Sequence, residues 1–91
     1  MRYEWDDAKR RLNLAKHRID FDQVMAFDWT TALVSIDDRE EYGEVREIAL
    51  GFIGAALHVL AFTLGEEDVV RVIMLRKATR AEAKRYAKAR N

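Results

Sequence analysis

The run Val69-Val70-Arg71-Val72-Ile73-Met74-Leu75 is dominated by β-branched and other apolar residues and is followed shortly by Thr79-Arg80-Ala81-Glu82. Stiff β-branched side chains suit a pleated strand, and Thr-x-x-Glu is the capping box that opens a helix. A chain that must pass from strand to helix within so short a span belongs to a mixed class. Three further runs read as strands: Ala32–Ile36, Val45–Phe52 and Leu57–Thr63. The last two are joined around Gly51 and Gly54, and Gly65-Glu66-Glu67-Asp68 turns the chain into residues 69–75. Short loops between consecutive strands imply a mostly antiparallel meander of four strands.

Helices are expected on both sides of this meander in the sequence. Asp6 is placed to cap a first helix, with Asp7 in its first turn. Trp5, Ala8, Leu12 and Ala15 recur at helical spacing as a buried stripe, while Lys9, Asn13, Lys16 and His17 share another face. Asp20-Phe21-Asp22-Gln23 resembles a second capping box, opening a short helix that would bury Phe21, Val24 and Met25. The order α-α-β-β-β-β-α predicts one α+β domain over residues 1–91, with two N-terminal helices, a four-stranded mostly antiparallel sheet and a C-terminal helix. Helices packed on one sheet face would leave the other face open to a ligand.

Composition bounds the chemistry. The 91 residues include no cysteine, so a thiol nucleophile, a disulfide and a Cys-based zinc site are excluded. His17 and His58 are not at metal-binding spacing, and no metal or other cofactor is expected. Ile53–Phe62 falls far short of a membrane span, and Met1–Asp6 lacks the apolar core of a signal peptide, so a cytoplasmic protein with no membrane contact is expected. The formal net charge is zero, yet this is a cancellation. Residues 1–18 carry six bases against three acids (+3), residues 19–67 two bases against eleven acids (−9), and residues 68–91 eight bases against two acids (+6). Fields reach about 8 Å at physiological salt, so a basic terminal segment can act on a polyanion even in a neutral protein.

The basic residues gather at the last strand and its junction with the last helix: Arg71, Arg76, Lys77 and Arg80, with Tyr86 further along. Guanidinium groups grip phosphate in bidentate fashion, and a helix N-terminus favours anions. Lys84, Lys88 and Arg90 are expected to be solvated and to complement the helix dipole. Strand parity places Arg71 and Arg76 on opposite faces unless a bulge intervenes. Arg46 can point to the same open face as Arg71. His17 is either a charged histidine at a helix C-terminus or a proton-transfer or phosphate-binding group. His58, between Leu57 and Val59, is expected to be structural. The paired acids Asp37-Asp38, Glu40-Glu41 and Glu66-Glu67 fall in turns and read as solvated.

Taken together, Tyr3-Glu4-Trp5-Asp6, Lys9, Asn13-Leu14, Lys16-His17 and Phe21, then Arg46, Gly51, Arg71-Val72-Ile73, Arg76 through Glu82 and Tyr86, resemble the BrnT toxins over nearly the whole chain. The resemblance implies a RelE-like fold and an RNA-cleaving toxin of a bacterial type II toxin–antitoxin pair. It also implies a BrnA-like antitoxin with a ribbon-helix-helix part, through which alone operator DNA would be contacted. Arg18 stands where glycine commonly follows the histidine, and Met74 and Leu75 replace the usual Ser-Ala, which bears on the geometry around His17 and Arg76.

Such an enzyme would cleave without metal, by attack of the ribose 2′-OH on the adjacent phosphate. Arg46, Arg71 and Arg76 are then the candidates for stabilising transition-state charge. His17, Lys16 or Tyr86 would transfer protons, and Tyr86 could instead stack a base. Lys9, Lys16, Lys77 and Arg80 would anchor RNA phosphates. The alternative is a non-catalytic RNA- or protein-binding module that uses the same basic edge.

Overall fold

The computed structural model describes residues 1–39, 41 and 43–91. Glu40 and Tyr42, from the expected acidic turn, lie outside the described residues. The order is β1 (Arg2–Glu4), α1 (Asp7–His17), a 3-10 segment (Phe21–Ala26), β2 (Leu33–Asp37), β3 (Arg46–Ile53), β4 (Ala56–Leu64), β5 (Val69–Lys77) and α2 (Arg80–Arg90). The strands form a single five-stranded sheet in the order β1-β5-β4-β3-β2. β2 to β5 are antiparallel neighbours, whereas β1 lies parallel to β5, with Tyr3 opposite Val70.

The expected four-stranded sheet with two N-terminal helices is therefore corrected in two places. Arg2–Glu4 is a fifth strand, which makes the sheet mixed. Three residues are too few to show alternation, and the partner of β1 lies at the far end of the chain. The second expected helix is only a six-residue 3-10 segment, capped by Asp20, whose side chain accepts from the Asp22 N–H. It ends because Phe27 turns outward from it to bridge Ile53 on β3.

The helices also do not share a sheet face. Phe21, Val24 and Phe27 pack on Ala49, Leu60, Phe62, Val70, Val72 and Leu75 to form the core on one face. Trp5, Trp29 and Phe62 extend it through edge-to-face ring contacts, and the Trp29 indole donates to the Tyr3 hydroxyl at 2.7 Å. α2 crosses the opposite face, where Tyr86 meets Phe52 with ring centroids 5.5 Å apart. Gly51 lies inside β3 rather than in the turn, because a Cβ there would come within 2.5 Å of the Phe27 ring. Only glycine leaves room for that ring.

α1 is rotated from its expected orientation. Leu12 is 71% exposed and Ala8 and Ala15 face solvent, while Asn13 is buried. The cause is the edge of β5. β1 covers β5 only as far as Arg71, so the backbone beyond it needs another partner. Asn13 supplies one: its amide accepts from the Leu75 N–H at 3.2 Å and donates to the Leu75 carbonyl at 2.7 Å. The same amide nitrogen donates to the Ile19 carbonyl at 3.0 Å. Arg10 reinforces the placement through Asp20 at 2.7 Å.

Asn13→Ala would leave a buried N–H and two carbonyls without that partner, each worth about 1–3 kcal/mol. Urea unfolding is expected to show a loss of about 3 kcal/mol, and a loss below about 1 kcal/mol would contradict the bridging role. For Gly51→Ala the added methyl overpacks the Phe27 contact, with an expected cost of about 1–3 kcal/mol. The double variant Gly51→Ala, Phe27→Leu should recover part of that loss in the same assay.

Candidate functional site

The open ground for chemistry is the sheet face crossed by α2. β5 carries a register shift there: Ala61 faces Met74 and Phe62 faces Val72, so Ile73 is the extra residue of a bulge. A one-residue bulge reverses which face the following residues point to. Arg71, Met74 and Arg76 consequently share the α2 face, and Leu75 stays with the core.

Two hollows meet at Met74. The larger, about 640 Å³, has an apolar floor that includes Ile48, Leu50 and Val59, walled by Arg76, Glu82 and Tyr86. The smaller, about 310 Å³, is lined by Lys9, Leu12, Asn13, Lys16 and His17 of α1, by Arg46 of β3 and by Ile73 and Met74. Arg46 reaches this hollow from β3 by extending across β4. Within it, burial first, then the charges of Lys16 and Arg76, push the His17 pKa below its ordinary value. That favours the neutral imidazole, a form suited to accepting a proton. α1 is instead closed by Arg18, in the left-handed conformation (φ 61°) with its N–H donating to the Leu14 carbonyl.

A family model described as "Ribonuclease toxin, BrnT, of type II toxin-antitoxin system" matches residues 5–82. The chain belongs to the BrnT family. The crystal structure of the Brucella abortus ribonuclease toxin BrnT superposes with a TM-score of 0.68 at 28% sequence identity, covering 88% of this chain and 99% of that one. No curated protein sequence matches significantly. Among the described residues, no helix is long and apolar enough to cross a membrane.

In this BrnT-family chain the expected site residues divide into groups. Lys9, Lys16, His17 and Arg46 come together in the smaller hollow. Arg76 borders the adjoining cleft, but Glu82 holds it in a bidentate pair, with Nη1–Oε1 at 2.8 Å and Nη2–Oε2 at 2.9 Å. Arg71 lies apart, paired with Glu4 across the β1–β5 ladder at 3.4 Å. Lys77 points to the opposite sheet face, and Arg80 is exposed at the start of α2. Tyr86 is buried, and its hydroxyl donates to the Thr31 carbonyl at 2.7 Å. It thus anchors α2 to the strand side of the cleft.

Glu82 has a role that the capping box alone did not reveal. Thr79 accepts from the Glu82 N–H at 3.1 Å and the Glu82 carboxylate accepts from the Thr79 N–H at 2.7 Å, completing the box. The carboxylate thus occupies the place at the helix N-terminus where a phosphate was expected. Arg39 is likewise held, its Nε 2.7 Å from the buried Asp37 carboxylate. The Arg76–Glu82 pairing depends on how β5 and α2 are brought together, whereas Asp37 and Arg39 meet locally, two residues apart.

The Arg76 guanidinium, ahead of the Thr79 amide, holds the Glu82 carboxyl at about 2 against an ordinary 4.5. A depressed carboxylate pKa contributes stability that is present above the unfolded value and lost as pH falls through the folded one. The window is therefore pH 4.5 down to about 2, and the contribution is on the order of 3 kcal/mol. Chemical unfolding of the wild type and Glu82→Gln across that range should give stabilities that converge as pH falls. Parallel curves would show that Glu82 is not the group responsible.

Proposed function

We propose that this BrnT-family ribonuclease toxin cleaves RNA in the hollow formed by α1, Arg46 and the β5 bulge. The convergence of Lys9, Lys16, His17 and Arg46 on one concave surface carries the reading. Three cations there can hold the RNA backbone, and a neutral imidazole among them can take a proton. In the reaction His17 accepts the proton of the ribose 2′-OH, and the 2′ oxygen forms a bond to the adjacent phosphorus. The bond to the 5′ oxygen breaks, and that oxygen is protonated from solvent at the open side of the hollow. The products are a 2′,3′-cyclic phosphate and a 5′-hydroxyl. Arg46 neutralises the charge gathering on the equatorial phosphate oxygens, with Arg76 adding to the field from the neighbouring cleft. Lys9 and Lys16 position the strand.

No step in this sequence requires a metal. The type II description of the family supports a protein antitoxin as the neutralising partner, which we assign to the BrnA-like class, with operator DNA engaged through it. A second reading, an RNA-binding module without catalysis, draws on the pairing of Arg39 and Arg76 with carboxylates, which occupies two of the basic groups on this face.

Incubation of the purified protein with single-stranded RNA in the presence of EDTA separates the readings. Cleavage should persist, leaving 2′,3′-cyclic ends. His17→Ala should lower the rate by about 10²-fold or more, the usual worth of a placed general base, and Arg46→Ala should lower it at least about tenfold. RNA that remains intact with folded wild-type protein would favour the binding module. Loss of cleavage on chelation alone would overturn the metal-free route.

A further inference from the structure

We propose that a third hollow, on the opposite sheet face where α1 and β5 end together, holds a phosphate of the same RNA strand at a nucleotide flanking the scissile bond. The inference rests on the ribonuclease reading above and extends it to a subsite. The hollow has a volume of about 340 Å³ and presents Arg18, Asp20, His58 and Lys77.

Its charge balance favours an anion. Asp20, the acid of the set, is already engaged by Arg10 at 2.7 Å. Arg18 and Lys77 form no ion pair among the described residues, so two cations remain for a ligand. His58 Nδ1 lies 2.8 Å from the Ala56 carbonyl and donates to it, which leaves Nε2 as the ring atom that can meet a ribose hydroxyl.

The placement relative to the catalytic hollow gives the strand a path. His17 lines that hollow and Arg18 the new one, while Arg76 borders the cleft and Lys77 the new hollow. Consecutive residues are about 3.8 Å apart along the backbone. An RNA strand bending over the joint end of α1 and β5 therefore meets both hollows within a short stretch. Arg18 also holds a position whose φ of 61° suits glycine better than any other residue. The chain thus carries a guanidinium at a backbone position that does not favour one.

That coincidence makes a discriminating variant available. Arg18→Gly relieves the backbone and removes the cation, so it should raise the thermal midpoint while weakening RNA binding. The probes are 2′-O-methyl single-stranded RNAs of roughly 4 and roughly 12 nucleotides, which lack the attacking hydroxyl. For Arg18→Gly combined with Lys77→Gln, the Kd of the longer RNA should rise roughly tenfold. Its log Kd–log salt slope should fall in magnitude by about 0.7, the mark of one lost phosphate contact on a single strand. The shorter RNA, held in the catalytic hollow, should lose less. A rise in stability with no change in Kd or slope would overturn the subsite, as would an equal loss on both RNAs. Wild-type protein that neither binds nor cleaves RNA would overturn the ribonuclease reading itself, before any variant is compared.

Discussion

The bond pattern between Asn13 and Leu75 governs how the two halves of the molecule meet. β5 is the longest-range hub of the sheet, pairing with β1 on one side and β4 on the other, yet β1 leaves its C-terminal half uncovered. A side-chain amide offers an N–H donor and a carbonyl acceptor side by side, as a strand residue does, and its second N–H is free to reach Ile19, so a single Asn can do the work of a strand residue at that edge. Since Asn13 is fixed in this way, α1 has no rotational freedom about its axis. Residues one turn away, His17 and Lys16, must then stand beside the bulge and face Arg46. The hollow beside α1 is in this sense a consequence of satisfying one buried N–H and one buried carbonyl.

The bulge at Ile73 acts at the same place from the other side. Without the extra residue, Arg71 and Arg76 would alternate between the core face and the open face, and a guanidinium would be driven into Phe21 and Leu60. The shift keeps Val72 and Leu75 in the core and both arginines out of it. It also puts Met74 at the wall between the two hollows, where its flexible side chain accommodates the change of direction. Bulges commonly re-aim side chains beside active sites, and here the re-aimed group borders the proposed site.

What was legible in the sequence was local. Asp6 and Thr79 cap their helices as expected because an N-cap is decided within four residues, and β3 to β5 emerge from β-branched runs bounded by turns. The parallel strand β1 was illegible, since its partner is separated by nearly the whole chain and its three residues show no period. The stripe Ala8-Leu12-Ala15 misdirected the reading of α1: two alanines and one leucine supply little apolar area, less than enough to outweigh two buried backbone groups. Among site residues, the grouping of Lys9, Lys16 and His17 followed from helical spacing, whereas the bulge puts Arg71 and Arg76 on one face without bringing them together. The ties of Tyr86 to Thr31, Arg76 to Glu82 and Arg71 to Glu4 depend on tertiary placement, and no spacing rule announces them.

Those ties decide which cations can act. A guanidinium in a tight bidentate pair presents a largely neutralised charge to an incoming phosphate, and releasing it would expose a carboxylate that repels the same ligand. Arg76 and Glu82 therefore behave as one structural unit that braces α2 against β5, and the Arg76 charge adds to burial and Lys16 in lowering the His17 pKa. Lys9 and Lys16 line the hollow from α1 and Arg46 from β3, where Arg46 is paired with Glu44 at 3.6 Å. The acids that make the molecule formally neutral are concentrated in the middle of the chain, between α1 and β5. Zero net charge is a sum over the whole chain, and with screening over about 8 Å it does not fix the field inside one hollow.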